Sequence, residues 1–174
     1  NQPGCVFPSK NLAGVGVVFY LLSCFRTRMK EQGWFTTMNI PEPAMADYLD
    51  LVALGTVADV VPLDANNRVL VHQGLNRIRA GRCRPGITAL LDIASKQPAQ
   101  LVATDLGFQV APRLNAAGRL DDMSQGIECL LTGSVDLARQ YASELDGLNI
   151  ERRQIEGSMQ KEAMHVLQTF SLDK

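Results

Sequence analysis

From Ser134 onward the sequence runs without a proline or any other strong helix breaker until Ser171. Leu137, Tyr141, Leu145, Leu148, Ile155, Met159, Val166 and Phe170 recur at steps of three and four, with one gap at Arg152. A helix of that length rises about 1.5 Å per residue and forms a rod on the order of 50 Å. A rod this long does not fit inside one compact domain. The stretch reads as a connecting helix whose later turns need a partner that this chain lacks. The other reading is two shorter helices meeting at Gly147 or Gly157.

The preceding residues also read mainly as helix. Residues 1–11 form a Pro/Gly/Ser/Asn loop. Residues 12–31 read as a helix with Leu12, Val15, Phe19, Leu22 and Met29 near one stripe. Arg26, Arg28, Lys30 and Glu31 crowd its end, and basic residues there suit the helix dipole. Gly14 and Gly16 imply close backbone approach or a later start. Residues 44–54 look helical, and Gly55 can close that helix. Residues 55–63 are apolar and β-branched with one acid, Asp59, in the middle, and Pro62 near the end. Asp64 can cap the next helix, which Gly81 stops; Thr104 and Ser124 are candidate caps further on, and Gly133-Ser134 is a stop followed by a cap. The chain is therefore expected to be predominantly α-helical, with at most one or two strands. A helical portion of an α/β domain would look like this.

Charge decides which partners are excluded. Seventeen Lys and Arg balance eighteen Asp and Glu, which rules out a uniformly basic nucleic-acid coat but not a local basic cleft. At 46% hydrophobic and 20% charged, the composition is globular and not disordered. No apolar run reaches membrane-spanning length. The first residues carry neither a basic start nor an apolar signal core, and there is no initiator Met. The chain is expected to begin part-way through a longer gene product. Cys5, Cys24, Cys83 and Cys129 lie far apart and form no zinc spacing, so they read as reduced cytosolic thiols. A cytoplasmic location follows as the expectation.

Two places could carry chemistry. Asp59 sits among Val57, Ala58, Val60 and Val61 and is expected to be at least partly buried, where a lone carboxylate is costly. It could cap the next turn, or it could be a metal ligand at the end of a core strand, a role that suits Mg²⁺ or Mn²⁺. The residue physics alone favours the cap. The second place is Arg113, Asn115 and Arg119, set among small residues that let an anion approach the backbone, with guanidinium forks matched to phosphate. The bland alternative is an arginine pair bridging Asp121 and Asp122. Arg77, Arg79, Arg82 and Arg84 cluster around Gly81 and are candidates for phosphate-backbone contact, with a solvated loop as the default. There is no Walker A loop, GxSxG, HExxH or GxGxxG.

Several long motifs closely resemble one family. They are Asp50-Leu-Val-Ala-Leu-Gly-Thr-Val-Ala-Asp-Val-Val-Pro-Leu63, Asn67-Arg-Val-Leu-Val, Gly74-Leu-Asn-Arg-Ile-Arg-Ala-Gly81, Ala111-Pro-Arg-Leu-Asn-Ala-Ala-Gly-Arg-Leu120 and Leu148-Asn-Ile-Glu-Arg-Arg153. Together they resemble the RecJ family of DHH phosphoesterases, bacterial 5′→3′ exonucleases specific for single-stranded DNA. The resemblance covers essentially the whole chain, in order. It implies an α/β fold for the full domain and a two-metal site for Mn²⁺ or Mg²⁺, mostly built by upstream motifs absent here; no Asp-His-His occurs in the chain.

Within that resemblance Asp59 maps to a metal ligand, with Asp50 the weaker choice. Arg113, and after it Asn115 and Arg119, match a motif that faces the scissile phosphate. Residues 1–133 are expected to be the C-terminal portion of a DHH domain and residues 134–174 the interdomain helix. The resemblance implies single-stranded DNA as substrate in DNA repair and recombination, no membrane, and a single-strand-binding protein or helicase as a further partner. The isolated chain is expected to be inactive. Rival readings are a non-catalytic helical binding module and a phosphoesterase acting on short oligonucleotides.

Overall fold

The structure is a computed structural model and describes residues 4–120 and 122–169. Asp121 and Phe170, both named above, lie outside the described residues. Among the described residues there is no strand. The helices are α1 (Gly14–Glu31), α2 (Trp34–Thr37), α3 (Leu49–Ala58), α4 (Ala65–Arg79), α5 (Pro85–Ile93), α6 (Ala103–Asp105), α7 (Ala111–Leu120), α8 (Ser124–Leu131) and α9 (Val135–Thr169). No helix is long and apolar enough to cross a membrane.

The largest departure from the sequence reading is at residues 55–63. Gly55 does not close a helix: α3 passes through it to Ala58, and Asp59 follows as its C-cap. The β-branched run is helical because α3, apolar apart from Asp50 and Thr56, is buried between neighbours, a setting where burial overrides strand propensity. Gly55 packs so tightly on α1 that an added Cβ would lie 2.8 Å from Val15 Cγ1. On the other side, a Cβ at Gly74 of α4 would meet the Leu49 carbonyl oxygen at 2.2 Å. Two glycines thus let α1, α3 and α4 stack at close range.

Pro112 lies inside a continuous helical run. The stretch Leu106–Val110 is a π-helix joining α6 to α7, and the Ala111 N–H reaches back to the Leu106 carbonyl. A proline ring clashes with the carbonyl four residues earlier, and a widened turn relieves that clash. Helix α9 is one unbroken rod of 35 residues, and a Cβ added at Gly147 or Gly157 would meet nothing beyond its own helix within 4 Å. Its buried stripe is Ala138, Ala142, Leu145 and Asn149. Leu137, Ile155, Met159 and Val166 are exposed instead, because the two small alanines allow the close approach of α5, α7 and α8.

Several caps differ from the expected ones. Asp64 caps α4 as read, accepting from the Asn67 N–H at 3.0 Å. Ser134 caps α9 through the Leu137 N–H. Thr104 lies within α6, and the adjacent Asp105 accepts from the Val102 N–H. Ser124 opens α8, and its own N–H is taken by Asp122 at 3.0 Å. The main core runs through α3, α4, α5, α7, α8 and the root of α9. A smaller cluster of Leu12, Val52 and Leu70 seats α1, with Val15 and Phe19 packed on it.

Candidate metal and nucleic-acid site

Asp59 leaves the end of α3 and is exposed, which corrects the expectation of burial. Its carboxylate makes no hydrogen bond or ion pair among the described residues, while its N–H stays in the helix on the Gly55 carbonyl at 3.0 Å. It caps nothing. Val60 follows at φ +54, the left-handed region, which a β-branched residue enters only under strain. The far end of this turn is held firmly. The Pro62 carbonyl accepts from the Asp64 N–H at 3.0 Å and from Asn67 Nδ2 at 2.9 Å. Ser9 Oγ donates to Asp64 at 2.7 Å. The Asn67 N–H beside Asp64, and then Ser9, hold that carboxyl below the usual carboxylate range.

Asp50 is in the opposite situation. It is 1% exposed and fully engaged, accepting from the Arg84 guanidinium, from the Arg84 N–H at 3.0 Å and from the Leu51 N–H at 2.8 Å. Arg84 also reaches the Asp47 carbonyl and lies 5.5 Å from the centre of the Tyr48 ring. A buried carboxylate already paired with a guanidinium and two backbone N–H groups has its charge balanced and is closed off from solvent. Of the two acids, only Asp59 has the chemistry of an available ligand.

The four arginines around Gly81 separate into different roles. Arg79 donates through Nε and Nη2 to the Leu101 carbonyl, at 2.9 and 2.7 Å, and so fastens the loop before α6. Arg77 pairs with Asp47 at 2.6 Å and Arg84 with Asp50. Arg82 is exposed, and its guanidinium has no partner among the described residues. Arg77, Arg82 and Arg84 share an open cleft with Asp47, Asp50 and Thr132.

Arg113 is 8% exposed on α7. Its Nε donates to Asp146 of α9 at 2.8 Å, and its Nη1 donates to the Gln109 carbonyl in the π-helical stretch at 2.5 Å. Nη2 has no bond among the described residues. Asn115 and Arg119 lie four residues apart on the exposed side of the same helix, and Arg119 comes within 4.0 Å of Glu156. Arg113 therefore does not share a face with Asn115 and Arg119. The sequence reading missed Asp146, Asn67 and Gln109. Each acts on a residue from another part of the chain or through its backbone, and no local motif signals that.

The described residues contain no group of three His, Cys, Asp or Glu side chains able to hold a metal ion. Asp59 fits as one carboxylate ligand, but these residues do not amount to a centre.

Comparison with known proteins identifies the arrangement. The helices superpose on a crystal structure of an exonuclease bound to manganese, with a TM-score of 0.72 and 33% identity over 92% of this chain and 38% of that one. A Thermus thermophilus structure in complex with Mg²⁺ matches at a TM-score of 0.71 and 33% identity, over 90% of this chain and 23% of that one. The chain thus has the fold of a helical segment of those two structures. Both structures are RecJ, and the sequence agrees: the chain is 62% identical over 166 residues to the single-stranded-DNA-specific exonuclease RecJ of Dickeya dadantii, covering 95% of this chain. The chain spans 29% of that relative's length and is a RecJ-type segment. No family model matches it.

Proposed function

We propose that this chain is part of a metal-dependent 5′→3′ exonuclease that hydrolyses phosphodiester bonds in single-stranded DNA. The observation that carries the assignment of roles is the contrast between the two acids: Asp59 is exposed and unengaged, and Asp50 is buried under Arg84. Asp59 would hold a divalent ion, Mn²⁺ or Mg²⁺, together with donors from outside the described residues. The bound ions supply Lewis-acid activation of a water and of the phosphoryl oxygens.

Arg113 serves the phosphate. Two acceptors fix its guanidinium before substrate arrives, and its remaining N–H groups neutralise charge on the phosphoryl oxygens as that charge develops. Asn115 and Arg119 offer polar contacts along the exposed side of α7. Of the four arginines around Gly81, Arg82 is the one with a guanidinium free for a backbone phosphate. Arg77 and Arg84 would border the strand only as already paired groups.

The wider reading rests on the same family likeness. Residues 1–133 are the C-terminal portion of a DHH phosphoesterase domain, and residues 134–174 form the interdomain helix. The whole protein acts in the cytoplasm in DNA repair and recombination, with a single-strand-binding protein or helicase as partner. The test is Asp59→Ala in a full-length RecJ-type enzyme carrying this segment. Loss of activity together with weaker Mn²⁺ binding is expected, and unchanged turnover overturns the ligand assignment. The purified 174-residue chain is expected to leave a 5′-ended single strand intact in manganese; robust degradation overturns the view that the centre is completed elsewhere.

A further inference from the structure

We infer that Asn67 is a positioning residue that holds the turn presenting Asp59. Its relevance to metal binding rests on the reading of Asp59 above. The turn is strained at Val60, which sits at φ +54 with its side chain 86% exposed, so no packing of its own keeps it there. Such a conformation persists only where the surroundings impose it from both sides. On the near side, α3 imposes it: the Asp59 and Val60 N–H groups bond to the Gly55 and Val57 carbonyls at 3.0 and 3.2 Å. On the far side, the Asn67 side chain does.

Asn67 is fully buried at the start of α4. Its Nδ2 donates to two carbonyls, those of Pro62 at 2.9 Å and Asn11 at 2.8 Å. One amide thereby ties the exit of the Asp59 turn and the loop before α1 to a rigid helix. The amide cannot reverse, because its oxygen would then face two carbonyl oxygens. Asp64 adds a second tie, accepting from the Asn67 N–H and from Ser9. Residues Asp59 to Val61 are stretched between these anchors, and the exposed carboxylate owes its place to them.

The test uses a full-length RecJ-type enzyme carrying this segment, with direct Mn²⁺ binding followed by electron paramagnetic resonance of the free ion. Amide hydrogen exchange is followed alongside. Asn67→Asp keeps the shape of the side chain and removes both donors. It is expected to weaken Mn²⁺ binding by about tenfold, the usual loss when a partner behind a metal ligand is removed. It is also expected to speed exchange at the Val60 and Asp64 amides, bonded to the Val57 and Pro62 carbonyls, more than in α7 or α9. Ser9→Ala loosens the same clip without emptying it and is expected to shift both readouts the same way, by less. Ile78→Val in the core lowers stability and is expected to leave Mn²⁺ affinity unchanged.

If Asp59→Ala weakens Mn²⁺ binding while Asn67→Asp and Ser9→Ala leave both affinity and local exchange as they were, the role of Asn67 is overturned and the ligand stands. If Asp59→Ala leaves Mn²⁺ binding unchanged, the reading of Asp59 itself is overturned. An equal affinity loss in Ile78→Val would reduce Asn67 to general stability and also overturn the inference.

Discussion

Arg84 offers a sharp choice between a structural and a nucleic-acid role. Arg84→Met keeps the apolar stem and removes the cation above Asp50, a carboxylate 1% exposed. Breaking a buried ion pair from one side costs about 3–5 kcal/mol, because the remaining charge is left in a poor solvent. Two backbone donors remain on Asp50, from Leu51 and from residue 84 itself, which places the cost near the lower end. Loss of the contact with Tyr48 adds about 0.5–1 kcal/mol. The expected total is about 3–4 kcal/mol, or a fall in Tm of roughly 6–16 °C for a chain of this size. Urea denaturation of wild type, Arg84→Met, Asp50→Asn and the double variant measures the coupling directly. The double variant should recover much of the loss, since an amide in place of the buried charge needs no cation. Strictly additive energies, with Arg84→Met costing less than about 1 kcal/mol, would place Arg84 among ordinary surface arginines. A matching loss of single-strand affinity and a shallower salt dependence would then make it a phosphate contact.

Two further outcomes are expected. Gly74→Ala gains about 1 kcal/mol of helix propensity but drives a methyl to within 2.2 Å of the Leu49 carbonyl oxygen and 2.4 Å of Ala53 Cβ. Overpacking should win, with a net loss of about 2 kcal/mol of stability read as a lower urea midpoint at unchanged m, and an equal or more stable variant refutes the close α3–α4 contact. Burial pushes the Cys129 thiol up to about 11. Its folded pKa is raised, so its contribution is fully present below the ordinary thiol pKa and is lost as pH rises toward the folded value. Stability should therefore fall between about pH 9 and 11, and less steeply in Cys129→Ala; identical slopes would show that Cys129 does not contribute.

The parts of the fold legible in the sequence are those with local causes. The Ser134 cap and the absence of breakers predict α9, and Asp64 and Gly81 mark the ends of α4 where the structure has them. The misread places depend on residues far away in the chain. Residues 55–58 look like a strand until α1 and α4 are packed around them, and only then does so apolar a helix have somewhere to go. Pro112 sits in a helical run because a widened turn before it relieves the clash, which no residue type announces. At the candidate site, the sequence yields the arginines and acids but not their pairing. Asp50 meets Arg84 across 34 positions, and Arg113 meets Asp146 across 33. Exposure depends on those distant pairings, and Asp59, flanked by valines in the sequence, stands exposed at the end of α3.

The long helix has a mechanical consequence. It is clamped by Ala138, Ala142 and Leu145 in the core and by Asp146 on Arg113, while residues 158–168 are exposed. The outer run from Glu156 to Thr169 measures about 20 Å at 1.5 Å per residue. It acts as a pointer on a short pivot. A tilt of about 5° at the root moves its far end by roughly 1.7 Å, and a push there returns to the pivot with the same leverage. The guanidinium of Arg113 is bolted to that pivot, so whatever loads the outer turns bears on the residue assigned to the phosphate.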